Sequence, residues 1–287
     1  MTGRWRAALW LAAVLLAALA LAACGDDDDD GGNGGGSGGG GGGGEASQQA
    51  DLDLQTEGQL TIGAEFPVKG FLELPIDDPK GFEVDFADAI AEELGVPKVQ
   101  WVSTPFAGLF RPGPKDFDMA INEVTITDER SQVVDFSVPY FDANQGFLIK
   151  KGGPAEGVTS IAEMKDLLFG FQTATTGGDF INDQIQPNED PRQFTTLGAA
   201  TQALANGQID AFLMDVAIGA EIVKERGDEV DMTGQFVTNE QYGVVFEKGN
   251  PLREQVNAAI EKITADGTLE ELQAKWFPGT EDLPELE

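Results

Sequence analysis

An α/β fold divided into two lobes, with mostly parallel sheets, is the architecture this sequence predicts. Three observations lead there. From Gln59 onward, short β-branched runs alternate with segments of helical spacing, the pattern of strand–helix–strand units. The ordered stretch is about 230 residues, enough to bury a core without covalent staples and better suited to two lobes than to one. No internal repeat is visible that would point to a solenoid or propeller.

The elements follow in order. Leu60-Thr61-Ile62-Gly63 alternates and predicts a strand. Residues 84–94 place Ala87, Ile90, Ala91 and Leu94 at helical spacing, with Asp85 as the expected N-cap and Gly95 and Pro97 ending the helix. Strands are expected over 119–122, 166–171 and 209–214, and a helix over 197–204 that stops at Gly207. Near the end, Thr268 and Glu271 have capping-box spacing ahead of Leu269, Leu272 and Trp276 on one face.

The start of the chain is of another kind. Arg4 and Arg6 precede a run without charge from Ala7 to Ala23, and Leu21-Ala22-Ala23-Cys24 closes it with the one cysteine of the protein. Small residues before a cysteine at the end of an apolar run resemble a lipobox. Residues 1–23 are therefore expected to be a signal peptide, with the mature chain beginning at an acylated Cys24. An uncleaved membrane helix is the other reading, but 17 residues is at the short limit for crossing a bilayer. Residues 24–56 read as a lipidated tether: Asp26 to Asp30 is an acidic run, and Gly31 to Gly44 is broken only by Asn33 and Ser37. Its reach is roughly 30 Å. Asp26, Asp28, Asp30 and Gly31 match four positions of a calcium loop, but Ser37 stands where its glutamate belongs, so no metal is expected there.

Composition removes several functions. Net charge is −32 over 287 residues; residues 1–23 carry two arginines and no acids, so their loss makes it −34. Such acidity opposes nucleic acid and adhesion to anionic lipid. There is no histidine, and once Cys24 is lipidated no thiol. This excludes Ser-His-Asp and Cys-His catalysis, histidine metal sites and disulfides. No cofactor is expected. No Gly-x-x-x-x-Gly-Lys-Ser/Thr loop is present, so any coupling to ATP needs another subunit.

Four segments carry chemistry: Thr125-Ile126-Thr127-Asp128-Glu129-Arg130, Asp135-Phe136-Ser137-Val138-Pro139-Tyr140, Gln172-Thr173-Ala174-Thr175-Thr176-Gly177 and Asp210-Ala211-Phe212-Leu213-Met214-Asp215. Singly, each has an ordinary structural use as turn, cap or core. With Gly81-Phe82-Glu83-Val84-Asp85-Phe86-Ala87 and Ala265-Asp266-Gly267-Thr268, their order and spacing resemble the bacterial extracellular solute-binding proteins of family 3, the amino-acid receptors of ABC importers, over roughly residues 58–279. The resemblance implies the periplasmic-binding-protein fold, two α/β lobes joined by a two-strand hinge with the ligand cleft between them. Residues 57–148 and 245–287 would form lobe 1 and 149–244 lobe 2, with the chain crossing near 146–150 and 242–246.

The residue chemistry agrees. A free amino acid is a zwitterion, so its receptor needs a carboxylate clamp and an ammonium acceptor. Arg130 offers a planar fork to a carboxylate, and Thr125 adds a hydroxyl. Thr175 and Thr176 lie where a strand gives way to a helix start, where free N–H groups favour anions. Asp215 ends a strand and can take the ammonium. The family assigns these roles to Arg130, Thr125, Thr176 and Asp215. Phe106 matches a position that packs on the ligand side chain, and Glu65, Phe66 and Glu123 lie on pocket-lining segments. Tyr140 reads as core. Val68 stands where relatives often carry an aromatic. Lys69 could read an acidic side chain, Glu65 and Glu123 a basic one.

The expected function is a monomeric extracytoplasmic lipoprotein, anchored at the outer face of the bacterial cytoplasmic membrane, that hands a free amino acid to an ABC permease with its ATPase subunit. It is not expected to be an enzyme. Two alternatives stay open: a ligand sensor, and a dehydratase of the same fold acting on arogenate or prephenate. A murein-cleaving relative would need a further domain after about residue 279.

Overall fold

The computed structural model describes residues 52–278 and 283–287. The expected signal peptide, Cys24, the acidic run and most of the tether lie outside the described residues. The end of that tether does not: Leu52 and Leu54 pack against the core, and the Gln55 N–H donates to Asp118 Oδ1 at 2.7 Å. Two apolar residues beside an acceptor are enough to fix this short stretch, which composition alone assigned to the linker.

The first lobe is built on β1 (Gln59–Ala64), α1 (Phe82–Leu94), β2 (Lys98–Ser103), α2 (Phe106–Leu109), β3 (Met119–Ala120), α3 (Asp128–Ser131) and β4 (Val134–Phe136). The second holds β5 (Phe141–Lys150), α4 (Ile161–Met164), β6 (Phe169–Gln172), α5 (Thr176–Phe180) running into a π-helical turn (Ile181–Ile185), β7 (Arg192–Phe194), α6 (Leu197–Ala205), β8 (Ala211–Asp215), α7 (Val216–Arg226) and β9 (Val230–Tyr242). The chain then returns through β10 (Val245–Glu247), and α8 (Leu252–Ala265) and α9 (Thr268–Trp276) pack on α1. Strand orders are β2-β1-β3-β10-β4 and β7-β6-β8-β5-β9. Both sheets are mixed rather than mostly parallel. β1 runs parallel to β2 and β3, and β6 parallel to β7 and β8, while β10, β5 and β9 enter antiparallel. The antiparallel strands are those on either side of the crossings, where the chain leaves one lobe and comes back in the opposite direction.

The first crossing lies earlier than the expected 146–150. β5 belongs to the second sheet over its whole length, so the chain crosses between Phe136 and Phe141; the return falls between Tyr242 and Val245. The two passes bond to each other: Ser137 N–H donates to Val244 O at 2.9 Å and Tyr140 N–H to Tyr242 O at 3.0 Å. Aromatic rings lock this region. Phe141 and Tyr242 stack at 5.3 Å, and Phe71 meets Phe141, Phe82 and Phe277 at 5.8, 5.9 and 4.5 Å. Such pairs contribute about 0.5–1.5 kcal/mol each beyond area burial.

Two caps differ from expectation. α1 starts at Phe82, not at a helix capped by Asp85. The N–H groups of Phe82 and Glu83 donate to Gly70 O and Phe71 O at 2.9 and 3.2 Å, so loop carbonyls do the work of a cap. Gly81 allows this approach: a Cβ there would lie 1.9 Å from Phe71 O. Asp85 instead accepts from Trp276 Nε1 and Lys275 Nζ, both at 2.6 Å, and pins α9 to α1. The Thr268–Glu271 box does not form; Gly267 precedes the helix and the Thr268 N–H donates to Asp266 Oδ1 at 3.0 Å. A capping box does form at Ser160 and Glu163.

The chain end crosses once more. Residues 283–287 lie on the edge of the second sheet, not with the first lobe: Gln235 N–H donates to Pro284 O, Leu286 N–H to Gln235 O, and Ile161 N–H to Glu287 O, at 2.8–2.9 Å. β9 is an edge strand with free backbone groups, and the terminal segment satisfies some of them.

Candidate functional site

Strand ends and helix starts of both lobes converge on a narrow cavity of about 50 Å³. From the first lobe come Glu65, Val68, Phe106, Asn122, Glu123, Thr125 and Arg130. From the second come Gln145, Gln172, Thr175, Thr176 and Asp215. Arg130 is the one cation among the described residues lining it, against the acids Glu65, Glu123 and Asp215.

Arg130 sits in the single turn of α3. The Thr127 side chain caps that turn, accepting from the Arg130 N–H at 3.1 Å. The guanidinium is buried over the ring of Phe110 at 4.6 Å, with Phe106 at 5.7 Å. It donates to Thr125 O at 2.7 Å and, across the cleft, to Ala174 O at 2.9 Å. Burial lowers its pKa, opposed by Asp215, Asp179 and Glu240. It stays charged, since a guanidinium holds its proton far above neutrality.

Asp215 closes β8 and precedes α7. Its Oδ1 accepts from Gln145 Nε2 at 2.5 Å and its Oδ2 from the Tyr242 hydroxyl at 2.7 Å. Burial, and then the nearby Glu240, push its pKa up to about 7. Glu123 follows Asn122 with φ 46°, a left-handed backbone that is uncommon outside glycine. Its Oε2 accepts from Asn122 Nδ2 at 2.6 Å, and its carboxyl also shares a hydrogen bond with that of Glu83. Burial and the neighbouring Glu83 raise its pKa well above the usual carboxylate range. Glu83 itself, beneath it, is pushed up to about 7 by burial. Glu65 links the lobes: it accepts from Phe106 N–H and from Gln172 Nε2, both at 2.9 Å.

The two threonines divide their work. Thr175 caps α5, accepting from Gly178 N–H and donating to Gln172 O at 2.8 Å. Its hydroxyl is committed to the backbone. Thr176 Oγ1 donates to Glu240 Oε2 at 2.6 Å, and Thr125 Oγ1 donates to the same oxygen at 2.9 Å. Gly177 lets α5 lie this close to β8, because a Cβ there would meet Leu213 O at 2.7 Å.

The structure thus brings Arg130, Thr125, Thr175, Thr176, Asp215, Glu123, Glu65 and Phe106 to one cavity, and leaves two expected side chains out. Phe66 does not line it; its ring meets the edge of Trp101 at 5.7 Å. Lys69 is exposed and pairs with Glu73 at 3.2 Å, so it reads no side chain in the cavity. Val68 fills the wall between them. Sequence reasoning missed Gln145 and Glu240. Both are polar residues within long strands, indistinguishable there from a solvent-facing position, and only the pairing of β5 with β9 turns them inward.

Comparison with known proteins is consistent with this geometry. Residues 62–279 match the bacterial extracellular solute-binding proteins, family 3. The chain is 34% identical over 229 residues to the L-cystine-binding protein TcyJ of Escherichia coli (strain K12), covering 78% of this chain and 84% of that one. An ancestral arginine-binding protein bound to glutamine superposes with a TM-score of 0.71 at 32% identity, covering 77% of this chain and 99% of that one. An ancestral amino acid-binding protein described as a precursor of cyclohexadienyl dehydratase gives 0.68 at 32% identity, covering 77% and 95%.

Proposed function

The chain belongs to the bacterial extracellular solute-binding proteins of family 3, the amino-acid-binding proteins of ABC transporters, and from that premise we propose how this member works. It closes two lobes around one free amino acid and delivers it to a membrane permease powered by a separate ATPase subunit. It is held at the outer face of the cytoplasmic membrane by lipid on Cys24.

The observation that carries the reading is that a fixed cation of the first lobe and an acid of the second, Arg130 and Asp215, line the same cavity. A zwitterion satisfies both only when the lobes are together. It therefore binds the closed arrangement better than the open one, and that difference in affinity drives closure. The carboxylate goes to Arg130 with the Thr125 and Thr176 hydroxyls, and the ammonium to Asp215. Thr175 acts through the backbone, holding the start of α5. Phe106 supports the guanidinium and bounds the side-chain pocket. Glu123 and Glu65 border the space left for the ligand side chain.

A second reading has one specific support. Glu123, whose pKa burial raises, lines the same cavity as Arg130 and could serve as a general acid, and the likeness to a dehydratase precursor makes that chemistry relevant. Both readings meet one experiment. Thermal shift against the common amino acids should give stabilising ligands, and chromatography after incubation should recover them unaltered. No stabilisation by any amino acid sinks the receptor; an altered ligand moves the assignment to the enzyme.

A further inference from the structure

Glu240 lies on β9, three residues before the second crossing begins. Its carboxylate is saturated by four neutral donors. Oε2 accepts from Thr125 Oγ1 of the first lobe at 2.9 Å and from Thr176 Oγ1 of the second at 2.6 Å. Oε1 accepts from Gln145 Nε2 and Thr238 Oγ1, both at 2.9 Å.

The backbone is arranged to aim it there. Asn239, the preceding residue, has φ 53°. The register of β5 against β9 shifts between Ala143 and Gln145, opposite this segment, and Asn144 Oδ1 accepts the N–H groups of Thr238 and Asn239 at 3.0 and 3.2 Å. A bulge of this kind re-aims side chains. Here it sends Gln145 and Glu240 toward each other beneath the cleft.

Two of the four donors are the hydroxyls assigned above to the ligand carboxylate. A hydroxyl has one proton and donates one hydrogen bond at a time. Thr125 and Thr176 therefore serve Glu240 or the ligand, not both. A second carboxylate arriving near Arg130 also meets the charge of the first. We propose that Glu240 is a tethered surrogate for the ligand carboxylate. It ties Thr125 of one lobe to Thr176 of the other, and it sets affinity by competing with the ligand for those hydroxyls. This inference rests on the reading of the cleft as an amino-acid site.

The tie and the competition have separate tests, both on the full chain. For the competition, calorimetry compares wild type with Glu240→Gln and Glu240→Ala, using L-arginine and L-glutamine and the α-amide of each. Both variants remove a negative charge, and Glu240→Ala also releases the two hydroxyls, so the free amino acid should tighten in both and by about tenfold or more in Glu240→Ala. The amide carries no charge for Glu240 to repel, so it should tighten clearly less than the free amino acid. A purely structural Glu240 would shift both ligands equally or weaken both, and either result overturns the proposal. For the tie, small-angle X-ray scattering of the ligand-free proteins should give a larger radius of gyration for Glu240→Ala, which has no acceptor for the two hydroxyls, than for wild type. Identical scattering overturns it. If neither wild type nor variant binds any amino acid, the proposed function fails, while the scattering comparison still judges the tie.

Discussion

The two half-sites facing the cleft are built on different principles. The first lobe offers a charge that cannot be switched: Arg130 is held by a one-turn helix, two aromatic rings and two backbone carbonyls. The second offers a charge that can be. Asp215, with a pKa of about 7, is only part-ionised near neutrality and is fully ionised when a cation arrives to favour it. The fixed half selects and orients, and the adjustable half completes the grip. A cleft with two permanent opposite charges would pull itself shut without help; one with a neutralisable acid leaves more of the attraction for the ligand to supply.

The comparison is broken most directly at the fixed half. Arg130→Ala should weaken amino-acid binding by at least about 2–3 kcal/mol, because a charge-assisted pair is lost and its partner is left buried; calorimetry with unchanged affinity would remove the clamp. The adjustable half is tested by pH. Its folded pKa of about 7 lies above the ordinary aspartate value of 3.8, so between those values the folded protein keeps a proton that the unfolded chain releases. Its contribution to stability is full below about pH 4 and is lost as pH rises toward 7. Asp215→Asn should flatten that decline by about 1–3 kcal/mol, a few degrees in Tm. The sign reverses for ligand: an ammonium needs the ionised form, so affinity should rise with pH through about 7, and not in Asp215→Asn. Glu65 ties the halves without belonging to either pole. Gln172→Ala removes its cross-lobe donor and should weaken binding by about 1 kcal/mol. The smallest effect is expected at Lys69. Its side chain is 46% exposed and paired outside the cavity, so Lys69→Ala should change affinity by less than about 0.5 kcal/mol in the same titration.

How far this was legible in the sequence follows the same divide. Arg130, Thr125, Thr176 and Asp215 sit at ends of short elements, where motif and chemistry coincide, and the structure gathers them. Glu240 and Gln145 were invisible because a strand's polar residue carries no mark of which face it takes; that depends on a bulge set by long-range pairing. Phe66 and Lys69 misled for a related reason. They follow β1 in sequence, but the chain turns so that Val68 alone of the three reaches the cavity. At the helix ends, Asp85 and Thr268 were good caps by type; the Gly70 and Phe71 carbonyls of a distant loop displaced the first, and the neighbouring Asp266 the second. Helix and strand cores, set by local apolar spacing, needed no such information. The mixed strand directions and the early first crossing did, because both follow from how the chain returns between lobes.

The account turns on one molecule meeting both poles at once. A crystal structure of the protein with a bound amino acid tests this directly. The ligand carboxylate should lie within hydrogen-bond distance of the Arg130 guanidinium and its ammonium within hydrogen-bond distance of an Asp215 oxygen. An amino acid held by one lobe alone, with Arg130 or Asp215 still satisfied only by protein groups, would contradict it.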